Sequence, residues 1–494
     1  MPASDAPPTE PLDPTPIGAL RRLHDELWDP ARGMDRMAAG VAPGVDLAAL
    51  GLHAVRETAL GAFLDLGDGH VERAATALRN VLALQYETTD RPWSGTFPVA
   101  AEQPAPPDDA VEWVHYDPNW RQFVGCTLAM CRLVHGDALP ADALDGIAAA
   151  LDRCIAGEPE ARIPRWYTNP NLMHAWLQGH VGTSTRDDAL VDRAHQRLAG
   201  LVDRFERHGD IDEYNSPTYD GIDLWAIGLW ATHPPTERFS AAADRLLSGI
   251  GARISGLYHP TFGATCGPYI RAYGLTPTRY VSLSGLLFAV VGAPAARVLP
   301  SPIDADTVHV HDLYFAPMLA HVGAALTPHL QLRDVATERH HEQRFTTSRA
   351  ESLLRPDLAV GWEHGRRHEA SLDQYVPFTC HSVFDAGDAS VGVMVPRETA
   401  WIDVHRTDDL EFRVEAAARD DAVGVRIVLD TPVDDSTTSI DSTPEHVTIA
   451  AGRFHIQAPG AAAEVTHTAT PIGSEIHVRW AADRVSGRIS LRPC

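Results

Sequence analysis

The sequence predicts a two-domain α+β protein: an (α/α) toroid of helix hairpins over residues 15–304, then an antiparallel β-sandwich domain over 305–494, with residues 1–14 as a disordered arm. Three observations predict it. Up to about residue 300, apolar residues recur at helical spacing in segments of roughly 14 to 20 residues. The segments alternate in character: "GIDLWAIGLWA" is apolar on most faces, whereas "DDALVDRAHQRLAGLVDRF" carries charge along one side, which suits buried inner and solvent-facing outer helices. Beyond 305, stretches such as "LEFRVEAAA", "VGVRIVLD" and "SEIHVRWAA" alternate with a period of two between turn residues.

Taken in order, "MPASDAPPTEPLDPTPIG" is proline-rich and acidic and reads as the arm, with neither the basic nor the apolar region of a signal peptide. "LAALGLHAVRETALGAFLDL" and "HVERAATALRNVLALQY" read as the first helices. The more buried helices then begin near 119, 171, 221 and 279, a period of about 50 residues, as paired antiparallel helices require. "VHVHD" at 308–312 reads as a strand with His309 and His311 on one face, and "ERHHEQ" at 338–343 adds two more histidines. Two histidines at i, i+2 suit zinc. With 25 histidines in the chain such pairs arise by chance, so neither metal nor cofactor is assigned.

Net charge is −25, which excludes nucleic acid and an anionic membrane surface as main partners. No apolar run approaches a membrane span. All 41 basic residues are arginine, which removes Walker-type, kinase-type and Schiff-base lysine chemistry. The six cysteines are scattered without metal spacing and read as reduced thiols of a cytoplasmic protein.

In a toroid the inner helices run parallel, so the loops before them meet at one mouth. Four such loops are rich in aromatic, amide and acidic residues: "HYDPNWRQ", "RWYTNPNLMH", "DEYNSPTYDGIDLW" and "YHPTFGATCGPYIRAYGLTPTRY". Asp117-Pro118-Asn119, Asn169-Pro170-Asn171 and Asn215-Ser216-Pro217 look like one cap repeated, Asx followed by proline. The surplus suggests a site. Trp93, Tyr116, Trp120, Trp166, Tyr167, Tyr214 and Tyr269 would give aromatic walls, and Arg121 or Arg271 would pair with a substrate carboxylate. "GPYIRAYGL" places Tyr269, Arg271 and Tyr273 at alternate positions, so an extended segment would send all three to one side.

Helix pairs followed by an antiparallel β domain resemble the polysaccharide lyases with an (α/α) toroid, the heparinase- and hyaluronate-lyase-like group. The resemblance implies a carbon–oxygen lyase that opens a uronate-containing oligosaccharide or glycoside by β-elimination. It implies an Asn at an inner-helix start, here Asn119 beside Trp120, that neutralises the uronate carboxylate. Asn169, Asn171 and Asn215 stand at similar places. It also implies a tyrosine that moves the proton, with Tyr219 and Tyr273 as candidates and His174 as helper. An arginine such as Arg271 would draw the tyrosine pKa toward neutrality, and Glu213 would position substrate or a partner side chain.

A glycoside hydrolase on the same scaffold would need two carboxylic acids, available among Asp117, Asp212, Glu213, Asp220 and Asp223, although Asp220 and Asp223 also suit a helix first turn. A dehydratase or isomerase of a small apolar alcohol would use Cys266, Tyr219 and His174. A carbohydrate-binding scaffold would need no convergent pocket.

Overall fold

The computed structural model describes residues 15–41, 45, 47–367, 374–384, 387–430, 438–443, 446–451, 454–459 and 464–491. The arm expected at 1–14 lies outside the described residues. Six helices form the inner ring: Val55–Gly67, Trp120–His135, Thr168–Thr185, Asp220–Thr232, Leu283–Val290 and Ala316–Leu326. Each packs on the next, and the last packs back on the first, so the ring closes as a toroid. The outer helices Val71–Ala83, Ala141–Ala156, Asp188–His208 and Glu237–Leu257 lean on it. Asp188–His208 shows how: it buries Leu190, Ala194, Leu198 and Phe205 on one stripe, Asp187 caps its start by accepting from Leu190 N, and Gly209 ends it at φ +73. The inner helix Asp220–Thr232 has no polar face. Its Gly221 lets it meet the next ring member, since a Cβ there would stand 2.1 Å from the Leu283 carbonyl oxygen.

Three sequence expectations change. "LAALGLHAVRETALGAFLDL" is not one helix: it breaks at Gly51 (φ +62) and the short strand His53–Ala54, which pairs with Met34–Arg36, and the inner helix starts only at Val55. The helical domain runs past 304, because Ala316–Leu326 is needed to close the ring and shares the helical core. "VHVHD" is no strand: His309 sits at φ +56 and leads into the 3₁₀ helix Val310–Phe315.

The β domain is a sandwich. One sheet runs Glu464–Thr470, Gly473–Trp480, Val423–Leu429, Gly387–Met394, Phe378–Phe384, Leu358–His364, Arg349–Arg355, Arg339–Arg344, and the other Thr399–Asp408, Glu411–Ala418, Arg484–Leu491, Phe454–Pro459, His446–Ala451, Thr438–Ser442. All these pairings are antiparallel. Phe412 of the second sheet meets Trp362 and Phe378 of the first at ring distances of 5.3 and 5.2 Å, in the middle of a core drawn from both. The segment 264–276 joins the domains: Ser352 Oγ donates to the Gly267 carbonyl, Tyr269 pairs its backbone with Val376, and Asp430 accepts from the Thr276 backbone N–H. Among the described residues no helix is long and apolar enough to cross a membrane.

Away from the mouth, His24 lies buried between Asp35 (3.0 Å) and Asp65 (3.2 Å), and Arg73 also binds Asp65. Burial works against a charged ring, but the two carboxylates outweigh it and raise His24 from 6.5 to about 9. A group raised on folding stabilises fully below its unfolded value and ceases to do so as pH climbs through the folded one. The melting temperature is therefore predicted to fall as pH rises from 6.5 to about 9. His24→Gln should remove that pH dependence and lower stability at neutral pH by about 3 kcal/mol, as read by thermal melts across pH.

Candidate active site

The starts of five inner helices reach a cavity of about 700 Å³ at the toroid mouth, those at Trp120, Thr168 and Asp220 among them, within the range of small-ligand sites. At these three, the N-cap residues Asn119, Tyr167 and Tyr219 make no capping bonds of their own. The Asx–Pro motifs tie loops instead. Asp117 accepts from Asn119 N at 2.8 Å, and Ser216 Oγ accepts from Tyr219 N at 3.0 Å. Asn215, at φ +51, donates to the carbonyls of Cys266 and Pro268. The starts at Trp120 and Asp220 have no side-chain cap from their own N-cap residues and keep their positive ends toward the cavity, whereas Glu213 meets the first turn of Thr168–Thr185.

The centre of the site is a chain of short hydrogen bonds. Glu213 accepts from Asn169 N at 2.8 Å and from the Asn169 amide at 2.9 Å, so it serves the first turn of the neighbouring inner helix. It also accepts from Arg271 Nη1 at 2.7 Å. Arg271 Nε donates to Gln374 at 3.0 Å, and its Nη2 donates to Tyr219 Oη at 2.7 Å. Tyr219 Oη and Tyr273 Oη are 2.7 Å apart. The Arg271 guanidinium also lies 3.8 Å over the Tyr219 ring. Burial pushes Tyr219 well above the ordinary tyrosine value, and Arg271 only opposes this. The expected shift toward neutrality is overturned because desolvation of a phenolate inside the cavity exceeds the pull of one guanidinium.

Opposite this chain, Asn119 donates to Tyr167 Oη at 3.0 Å and accepts from both terminal nitrogens of Arg162 at 3.1 Å, while Arg162 is also held by Glu158. Burial pushes Tyr167 up to about 12. Trp120, Trp166, Asn169 and the half-open Tyr273, 36% exposed, complete the wall with Trp113 and Phe123.

Several expected residues do not reach the cavity. Tyr269 faces the β domain, where its hydroxyl donates to the Thr265 carbonyl and meets His381 at 2.9 Å; bends at 270, 271 and 273 break the alternation that would have aligned it with Arg271 and Tyr273. Tyr214 is fully buried against Phe345. Arg121 is fully buried and binds the Ser94 and Pro118 carbonyls, which fixes the loop rather than a substrate. Asn171 binds the Pro164 and Tyr167 carbonyls. Trp93 and Tyr116 pack on each other, both buried. His174 lies beneath the floor, 3.2 Å from Gln122, and burial holds it neutral. Asp212 binds Arg204, Asp220 binds Arg253, and Asp223 is buried with its pKa raised well above the usual range by burial, then by Glu213. Cys266 is buried too.

Sequence reasoning missed Arg56, Trp113, Arg162, Asp312 and Gln374 at the wall, and took His309 and His311 only as a candidate metal pair on a strand. Arg56 was hidden inside a helix taken as continuous, and the histidines inside a presumed strand. Trp113 carried a signal in hindsight, as an aromatic in the loop just before "HYDPNWRQ".

The fold and site together define a toroid protein with a β-sandwich buttress and one aromatic, tyrosine–arginine cavity. Residues 27–324 match the family described as "Domain of unknown function (DUF8769)", and the chain belongs to that family. No curated protein matches. Among solved structures, the chain is similar to a Streptomyces coelicolor A3 chondroitin AC lyase in complex with chondroitin sulphate, at 12% identity over 97% of this chain and 79% of that one, TM-score 0.45. A chondroitinase AC lyase studied in oligosaccharide complexes gives 9%, 98%, 81% and 0.39. The endoglucanase CelQ from Clostridium thermocellum, complexed with cellotriose, gives 11%, 89%, 83% and 0.30.

Removing the Glu213 carboxylate leaves the Arg271 guanidinium buried without its counter-ion. Glu213→Ala is predicted to cost about 3–5 kcal/mol in urea unfolding, and Glu213→Gln, which keeps an acceptor, distinctly less. Equal and small losses would show that the pair does not organise the site.

Proposed function

We propose that the protein is a carbon–oxygen lyase that cleaves a uronate-containing oligosaccharide or glycoside by β-elimination. The observation that carries this reading is the Arg271–Tyr219–Tyr273 chain at the cavity wall, with both hydroxyl contacts at 2.7 Å. Abstraction of a proton α to a carboxylate needs that carboxylate muted and the base held ready. Asn119, Arg162 and the uncapped start of helix Trp120–His135 suit the first need. Tyr219 suits the second. As phenolate it is stabilised by the Arg271 guanidinium, with the Tyr273 hydroxyl 2.7 Å away. Tyr219 takes the proton α to the carboxylate, the carbon–oxygen bond at the β position breaks, and Tyr273 gives its hydroxyl proton to the leaving oxygen. The proton on Tyr219 then passes across the shared hydrogen bond to Tyr273, and the pair is restored. The aromatic wall of Trp120, Trp166 and Trp113 suits the apolar faces of sugar rings.

Hydrolysis is the second reading, because Asp117 and Asp312 both line the same cavity. Of the carboxylates considered from sequence, Asp117 alone is in its lining. The small-alcohol reading loses Cys266 and His174, which lie outside the lining.

The test is a panel of uronate-containing oligosaccharides and glycosides followed by the ultraviolet absorbance of the conjugated product. Tyr219→Phe is predicted to lower kcat/KM by about 10²–10⁴. Because burial raises the base, kcat/KM should climb on the alkaline side of neutrality, and Arg271→Gln should move that climb to still higher pH. Reducing ends without ultraviolet product would overturn elimination in favour of hydrolysis.

A further inference from the structure

At the cavity wall beside Tyr273, the segment 308–312 makes an abrupt turn. His309 takes a left-handed backbone, φ +56, which a residue with a Cβ adopts at some cost. The turn gathers side chains that a strand would have kept apart from Asp312. Donor atoms of His309, His311 and Asp312 all lie within 4.8 Å of one another. The two rings are 5.4 Å apart, and Tyr273 stacks on His309 at 4.9 Å with an 8° interplanar angle, which fixes that ring.

The polar atoms of this group are poorly served. Nδ1 of His309 and Nδ1 of His311 are both buried and have no hydrogen-bond partner among the described residues, which is unfavourable for a buried polar atom. The Asp312 carboxylate is 3.5 Å from His311 Nε2 and 3.6 Å from Arg56 Nη2, both longer than a charge-assisted hydrogen bond. Arg56 spends its short contact, 2.6 Å, on Glu57 and rests against the rings of Trp120, Phe123 and Phe315. Glu57 and Asp312 thus share the single Arg56 guanidinium. Imidazoles and a carboxylate are the ligand types that a borderline divalent ion takes.

We infer that His309, His311 and Asp312 bind a first-row divalent cation of the zinc class, with its remaining coordination position open to the cavity. Around a tetrahedral zinc the donors stand roughly 3.4 Å apart, so small side-chain rotations close the group. Two nitrogens and one oxygen leave room for a further ligand, as in open rather than closed zinc sites. An anionic oxygen is the ligand that this position would take. The site shares the cavity with the elimination chemistry but does not depend on it.

The test uses the full chain, stripped with a chelator and titrated with Zn²⁺ by calorimetry and with Co²⁺ by visible absorption. One equivalent per chain is expected, with the intense visible bands of a low-coordinate cobalt site. His309→Gln and His311→Gln should each weaken binding about a hundredfold or more. Asp312→Asn, nearly isosteric, guards against loss of fold and should weaken it as well. His233→Gln, at the His233–His321 pair elsewhere in the chain, should bind as wild type. Zn²⁺ should raise the melting temperature of the wild type and of His233→Gln but not of the three ligand variants. No saturable binding by wild-type protein, or binding indifferent to all three substitutions, would overturn the site and leave the Tyr219 reading standing.

Discussion

Everything at the mouth depends on the buried ion pair between Glu213 and Arg271. Glu213 precedes one inner helix and serves the first turn of another, so its carboxylate fixes the angle between two members of the ring. Arg271, from the segment that joins the domains, is thereby held over Tyr219 and bonded to its hydroxyl. A buried pair of this kind is a weak source of stability, because desolvation offsets most of the Coulomb gain. Its value is positional. Five donors in a fixed plane hold a carboxylate, an amide and a phenol in one set geometry, which the rotating point charge of a lysine would not fix.

The β domain enters the same network. Gln374 holds Arg271 from the far side, and the seam at 264–276 is stitched to the sheet through Tyr269, Gly267 and Thr276. The sandwich is therefore part of the wall of the site. It places one face of the guanidinium, while the toroid places the other.

The inner-helix period was legible because buried helices leave a strong trace: predicted starts near 119, 171, 221 and 279 meet observed starts at 120, 168, 220 and 283. So was the gathering of their loops, and with it Asn119, Trp120, Trp166, Tyr167, Asn169, Tyr219, Arg271 and Tyr273 at the cavity. What spacing could not reveal was direction. Tyr214 and Tyr219 lie in one loop with similar surroundings in sequence, yet one is core and one faces the cavity, because Asn215 turns the chain into the left-handed region between them. Tyr269 and Arg271 part because bends at 270 and 271 break the alternation. His309 was hidden by the same kind of turn, and Arg56 by a helix break at a glycine.

The central claim is that this network removes a proton from carbon rather than activating water. The most direct measurement is turnover of a uronate-containing oligosaccharide in heavy-oxygen water, with products read by mass spectrometry. Elimination predicts an unsaturated product that carries none of the solvent oxygen, formed by wild-type protein and lost in Tyr219→Phe. Solvent oxygen in a saturated sugar product would contradict the account and transfer the chemistry to the carboxylates of the same cavity.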